Sequence, residues 1–144
     1  MSYLSSHQLL HVRVAKIAHE QPNKKCLCIH DGSSQPRWFT YGDISYESRR
    51  IYETLIGCGF GEGSYVGVFI PRGLHLVASL FAIHALGGTY VPLDPSLPLE
   101  RHVRCLRLGF VSGILTVPEV QRTAEEMCMA ASDDEKRPTL PSVV

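Results

Sequence analysis

The sequence carries no excess charge of either sign. Fourteen basic side chains face fourteen acidic ones, so no electrostatic footprint points to nucleic acid or to an anionic membrane surface. No long hydrophobic run is present. The most apolar stretch, residues 73–86, is interrupted by His75, Ser79 and His84 and is too short to span a bilayer. Residues 1–10 lack a basic start followed by an apolar run, which excludes a secretory signal and makes a cytoplasmic location the expectation. Cysteines in metal-binding pairs are also missing. Cys26, Cys28, Cys58, Cys105 and Cys128 include one close pair, Cys26-x-Cys28, and none of the C-x2-4-C units of a zinc site. The five thiols are expected to be free and buried, with Cys26 and Cys28 on one face of a strand. No internal repeat occurs.

What is present is ordinary globular composition, 44% hydrophobic and 19% charged over 144 residues, enough for one modest core. Ser5 or Ser6 is placed to cap a helix running to about His19, ended by Gln21-Pro22-Asn23. Lys25 to His30 and Trp38 to Thr40 read as strands of a hairpin about an Asp31-to-Pro36 turn. Thr40 is placed to cap the next helix, with Asp43 as a short capping-box partner. That helix runs to about Ile56. Ile44, Ile51, Tyr52 and Leu55 share its apolar face, Arg49, Arg50 and Glu53 its wet one, and Gly57 and Gly59 end it.

Tyr65 to Ile70 is a near-continuous apolar strand of the kind covered on both faces. A helix from Leu74 to Leu86, apolar almost all round, is expected to be buried on most sides. Gly87-Gly88 stops it. Tyr90-Val91-Pro92-Leu93 is an edge strand or strand end because of its proline. Pro98 opens a short helix to about Leu106, residues 110–116 form another strand, and Thr116 with Pro118 opens a last helix. The alternation implies an α/β layered fold with a mostly parallel sheet. The expected division is a domain over residues 1–130 and a flexible tail over 131–144, where Ser132-Asp133-Asp134-Glu135-Lys136-Arg137-Pro138 is charged and unpatterned.

Two segments resemble signatures of the adenylate-forming ligase superfamily, which comprises acyl-CoA synthetases, peptide-synthetase adenylation domains and luciferases. Phe39-Thr40-Tyr41-Gly42-Asp43-Ile44 looks like its first core motif. Ala82-Ile83-His84-Ala85-Leu86-Gly87-Gly88-Thr89-Tyr90-Val91-Pro92-Leu93-Asp94-Pro95 looks like the second and more specific one. Between them, the glycines at 57, 59, 61 and 63 followed by Val66-Gly67-Val68 resemble the family's glycine loop and strand. The ending Val-Pro-Leu-Asp-Pro leans towards the peptide-synthetase-like and aminoadipate-semialdehyde-dehydrogenase-like branches. The family often has lysine where this chain has Ala85 and an aliphatic residue where it has His84.

The resemblance implies the first subdomain of an N-terminal adenylation domain. In an intact relative, a carboxylic acid would react with ATP and Mg²⁺ to give an acyl-adenylate and then a thioester. The family's phosphate loop ending in Lys-Gly, its adenine, ribose and magnesium motifs and its C-terminal catalytic lysine do not appear in these 144 residues. No catalytic, cofactor-binding or metal residue is therefore assigned to this chain, and ATP and Mg²⁺ are expected only of an intact relative. The expected partners are the remainder of a ligase or a second copy. The rival expectation is a free-standing module with a binding, regulatory or complementing role; the unpatterned tail also fits an early stop.

Several residues have both a sharp and a bland reading. The glycine cluster at 57–63 follows a helix and leads into a strand, the reverse of a dinucleotide loop. His7 and His11 could share a metal or be boundary histidines. His75 and His84 could be ligands or buried, hydrogen-bonded side chains. Asp94 could touch a ligand or cap its own turn through Ser96. Arg101, Arg104 and Arg107 could meet a phosphate, as on coenzyme A, or form a solvated face. Trp38, Phe39, Tyr41 and Tyr46 are expected to be core or interface packing.

Overall fold

A computed structural model describes residues 9–30, 32, 35–108 and 111–131. Among these described residues, five α-helices and five strands follow in the order α1 (Leu10–Glu20), β1 (Lys25–Ile29), β2 (Arg37–Thr40), α2 (Tyr41–Gly57), β3 (Tyr65–Phe69), α3 (Leu74–Ala85), β4 (Thr89–Pro92), α4 (Leu99–Arg107), β5 (Gly113–Thr116) and α5 (Gln121–Ala131). A 3-10 turn, Pro118–Val120, precedes α5. β1 and β2 pair as an antiparallel hairpin, while the main sheet is parallel in the order β4-β3-β5. The α/β layered reading, the parallel sheet and the edge position of the proline-bearing β4 all hold.

Side-chain alternation on β3 sets the layers. Val66, Val68 and Ile70 pack with Ile51 and Leu55 of α2 and with Ala78, Ala82 and Ile83 of α3. Phe69 points the other way, to Leu106 of α4 and to Ala124, Met127 and Cys128 of α5. The sheet therefore lies between two helical layers, and β3 is buried on both sides. Among the described residues no buried side-chain nitrogen or oxygen lacks a partner. Gly67 sits where the second layer crowds the strand. A β-carbon there would stand 3.0 Å from Leu93 Cδ1 and 3.1 Å from Val111 Cγ1.

Both glycine stops form the same device. At the end of α2, Gly59 has φ +85°, its N–H donates to the Ile56 carbonyl (2.9 Å), and the Phe60 N–H donates to the Leu55 carbonyl (3.0 Å). At the end of α3, Gly87 has φ +75°, its N–H donates to the His84 carbonyl (3.2 Å), and the Gly88 N–H donates to the Ile83 carbonyl (3.0 Å). These are Schellman closures, which need a residue that tolerates the left-handed region. The two closures then meet. The Gly63 N–H donates to the Gly87 carbonyl (3.0 Å) and the Thr89 N–H to the Ser64 carbonyl (2.8 Å), which sets β4 in register beside β3. Gly57 is the last residue of α2 rather than its stop.

The capping box at α2 is complete: Asp43 Oδ2 accepts from the Thr40 N–H (2.8 Å), and the Thr40 hydroxyl oxygen accepts from the Asp43 N–H (3.2 Å). Other local expectations are corrected. Leu9 is extended (φ −69°, ψ 133°), so α1 begins at Leu10; Ser5 and Ser6 lie outside the described residues. Thr116 does not open the last helix. It ends β5, and its buried hydroxyl donates to the Phe69 carbonyl (3.2 Å), tying the two strand ends together. β5 begins at Gly113, and Phe110 lies outside the described residues. Ala131 belongs to α5; the rest of the expected tail, 132–144, also lies outside them.

The helix α3 is less enclosed than its composition suggests. Its small residues Ala78, Ser79 and Ala82 are buried, together with Ile83, whereas Leu74, Leu76, Val77, Leu80 and Phe81 are half-buried. Small side chains let α2 approach closely enough for the Ser48 hydroxyl to donate to the Ala78 carbonyl (3.1 Å). The larger ones are left to the rim of that contact.

The cysteines are free, but Cys128 alone of the five is buried; Cys26 and Cys28 are half-buried, and Cys58 and Cys105 are exposed. Burial and the neighbouring Glu125 push the Cys128 thiol up to about 11. Between Lys25 and Leu27 the hairpin register slips. That slip takes Cys26 out of the alternation on which a shared face with Cys28 depended. Trp38 and Tyr46 are exposed rather than core, each under a cation: Lys25 Nζ lies 5.5 Å from the Trp38 ring centre and the Arg50 guanidinium 6.0 Å from that of Tyr46. Phe39 and Tyr41 are half-buried.

Two outcomes follow from these contacts. Gly67→Ala is expected to lower stability by about 1–3 kcal/mol, read by chemical denaturation, because Leu93 or Val111 must move. Thr40→Ala is expected to cost about 1 kcal/mol at neutral pH. Its effect should fade in acid. The hydrogen bonds from Thr40 hold the Asp43 carboxyl below its ordinary value. The stability they supply is therefore complete above the unfolded carboxyl's pKa and lost as pH falls through the folded one. Denaturation midpoints of both proteins across the acid range check the convergence.

Candidate functional site

In a parallel sheet, strands whose following helices lie on opposite faces leave a crevice at their carboxyl ends. β3 leads into α3 on one face, and its neighbour β5 leads into α5 on the other. The crevice expected there exists. It is a hollow of about 380 Å³ lined by Ile70, Arg72, Gly73 and His75 after β3, Val117 and Glu119 after β5, and Arg37 and Phe39 of the hairpin. A smaller hollow of about 160 Å³ adjoins it, between the ends of β3 and β4, lined by Tyr90, Leu93 and Asp94. Ile70 and Arg72 line both.

The chemistry on offer is modest. Arg37 and Arg72 supply positive charge, His75 an imidazole and Glu119 a carboxylate. The α3 N-terminus has no side-chain cap and no acidic residue in its first turn. His75 Nε2 lies 3.8 Å from Glu47 Oε2, which also holds Arg50 at 3.3 Å. The second hollow contributes Tyr90, whose hydroxyl is pushed up by burial. Such a rim suits an anionic ligand edge. Among the described residues no group of three metal-capable side chains occurs. The other nearby carboxylate, Asp94, is engaged locally.

Asp94 Oδ1 accepts from the Ser96 N–H (2.9 Å) and from the Ser96 hydroxyl (2.8 Å). Those bonds, with smaller help from Arg72 and His102, hold its carboxyl below the ordinary range. Behind this turn stands a residue the sequence reading did not single out. His102 is 3% exposed, its Nε2–H donates to the Asp94 carbonyl (2.9 Å), and its ring meets Phe69 edge-on at 5.6 Å. Its signal in the sequence was its place on α4 between Leu99 and Leu106, opposite the arginine face.

The remaining candidates do not gather at the crevice. His84 is exposed and the His75 side chain is 45% exposed, so neither is the buried histidine expected on α3; both fall on its rim. His11 lines a separate groove with Ser48, Tyr52 and Phe81, where burial and the positive field of His84 lower its pKa. His7 lies outside the described residues. Arg101, Arg104 and Arg107 are exposed on α4, and an Arg107 guanidinium N–H donates to the Ala130 carbonyl at the end of α5 (2.9 Å). Among the described residues no helix is long and apolar enough to cross a membrane.

The fold and these motifs have counterparts. Residues 14–144 match the family model described as AMP-binding enzyme. The chain is 27% identical over 132 residues to a linear gramicidin synthase of Brevibacillus parabrevis, an alignment covering 88% of this chain and 2% of that protein. It is 41% identical over 85 residues to cyclo-acetoacetyl-L-tryptophan synthase of Aspergillus oryzae, covering 59% of this chain and 2% of that protein. Among solved structures, a nonribosomal peptide synthetase in its AMPPNP-bound form superposes with a TM-score of 0.71 at 26% identity, over 93% of this chain and 13% of that one. A fatty acid AMP ligase from Legionella pneumophila shares the fold, with a TM-score of 0.72 at 19% identity over 99% of this chain and 24% of that one. The chain thus spans 2% of the length of these curated relatives. With a parallel sheet, two glycine closures and the Gly87-to-Pro95 segment all where the match runs, the chain belongs to the AMP-binding enzyme family of adenylate-forming ligases.

Proposed function

We propose that these residues are the scaffold portion of an acid-activating adenylation unit and that the chain alone does not catalyse adenylation. In the complete unit a carboxylate oxygen attacks the α-phosphate of ATP, pyrophosphate leaves, and the acyl-adenylate is passed to a thiol. That reaction needs fixed N–H donors, a divalent cation and a lysine aimed at the developing charge. Losing one such donor costs on the order of 10²–10³ in rate.

The observation that carries this reading is the chemistry of the carboxyl-edge crevice. Its rim offers arginines that could meet an anion and one carboxylate, Glu119, while the neighbouring Asp94 is occupied in holding Ser96. The Lys-Gly phosphate loop is missing from the sequence. No catalytic, cofactor-binding or metal residue is assigned to the chain on this reading. The working unit is residues 1–130 with a tail after it, placed in the cytoplasm, and its partner is the remainder of a ligase or a second copy. ATP and Mg²⁺ would act in the complete unit.

A second reading, a free-standing binding, regulatory or complementing module, is favoured by one observation. Helices from within the chain cover both faces of its sheet. Several half-buried apolar side chains on α3 nevertheless remain for a partner to cover.

ATP–pyrophosphate exchange with the purified chain and a mixed pool of carboxylic and amino acids is expected to stay at background. A complete adenylation domain assayed in parallel serves as the positive control. Acid-dependent exchange well above background overturns the scaffold reading and places the chemistry within these 144 residues.

A further inference from the structure

The helices α1, α2 and α3 border a groove of about 410 Å³ that shares no lining residue with either hollow at the carboxyl edge. Small side chains make the room. Ala15 on α1 and Ala82 and Ala85 on α3 leave a gap where larger residues would bring the helices into full contact. Val14, Tyr52 and Phe81 complete the apolar wall. Along α2 the groove runs from Ser45 to Tyr52, two turns, or about 10 Å at the helical rise of about 1.5 Å per residue.

The polar groups around this apolar body are unengaged. Among the described residues, no hydrogen bond or ion pair occupies the Ser45 hydroxyl, the Arg49 guanidinium, the Tyr52 hydroxyl or the His11 ring. Ser48 is committed, its hydroxyl donating to the Ala78 carbonyl. Ser45 and Arg49 lie one helical turn apart and so share a face of α2. The charge is of one sign. Arg49 lines the groove, the field of His84 reaches His11, and among the described residues no carboxylate is part of the lining. The neighbouring Arg50 has its counter-ion in Glu47, whereas Arg49 has none. An apolar hollow with a few convergent polar groups is the form of a small-ligand site. A guanidinium with its donors unused is the group that meets a carboxylate or similar oxyanion.

We propose that this groove binds a small amphipathic monoanion, with the charged head on Arg49 and Ser45 and the apolar body between Val14, Tyr52 and Phe81. Burial of that body supplies most of the affinity, and the head supplies selectivity for charge. Arg49 is exposed, so its contribution is screened and modest. The Tyr52 hydroxyl and the His11 ring remain to hydrogen-bond a polar substituent on the body. The ligand would cover Phe81, one of the half-buried side chains of α3.

Titration of the full chain with phenylbutyrate, followed by amide NMR at low ionic strength, tests this against phenylbutanol, which has the same body and no charge. Phenylbutyrate is expected to bind with a Kd of about 1 mM or tighter. Its shifts should gather on α1, α2 and α3 around Ala15, Arg49 and Phe81. Phenylbutanol is expected to bind about five- to tenfold more weakly. Arg49→Gln should bring the acid down to the affinity of the alcohol and leave the alcohol unchanged, a result that a general loss of structure would not give. Ala85→Trp, at an exposed position of the lining, should abolish binding of both while the amide spectrum stays folded. Absence of binding overturns the proposal. So do equal affinities of acid and alcohol for the wild type, an acid preference that survives Arg49→Gln, or shifts centred on Arg72 and His75 at the carboxyl edge. An apparent affinity that falls as protein concentration rises also overturns it and identifies the occupant as a second copy.

Discussion

Burial of β3 on both faces is the constraint on which the rest of the structure depends. A strand enclosed in this way must supply apolar side chains in both directions. Val66, Val68 and Ile70 do so toward α2 and α3, and Phe69 toward α4 and α5. Each fully buried side chain of this size contributes roughly 1.5–3 kcal/mol. Gly67 marks the place where the second layer comes so close that a β-carbon would displace Leu93 or Val111. Both neighbours of β3 are held at their ends: β4 through the glycine closures and β5 through the Thr116 hydroxyl on Phe69.

The motif glycines that identify the family are thus structural joints in this chain. Gly59 and Gly87 end α2 and α3 by the same closure, and the loops beyond them hydrogen-bond to each other through Gly63 and Ser64. The segment ending at Asp94 behaves likewise. Its carboxylate holds Ser96, and its carbonyl is held by the buried His102. What remains at the carboxyl edge is a rim of arginines and one histidine around a modest hollow.

Much of this was legible in the sequence because it is local. The capping box of Thr40 and Asp43, the apolar run of β3 and the proline at the edge of β4 each follow from a few adjacent residues. The failures share one cause. Where a third element decides, periodicity is silent. Thr116 looked like a helix cap, but β3 claims its hydroxyl. The helix α3 looked buried on most sides, but small residues make its close contact and large ones sit at the rim. His75 and His84 looked like the buried histidines, whereas the buried one is His102, whose partner Asp94 lies eight residues away across a turn. The crevice itself was not legible, because it depends on α3 and α5 lying on opposite faces of neighbouring strands.

Amide hydrogen exchange across the whole chain tests most directly whether these residues form a self-covering layer around β3. The amides of β3, together with those of β5 and the inner turns of α3, should exchange slowest, at a rate set by global unfolding. Exchange of β3 as fast as that of an exposed loop would contradict that claim and mean that the sheet requires further polypeptide to be covered.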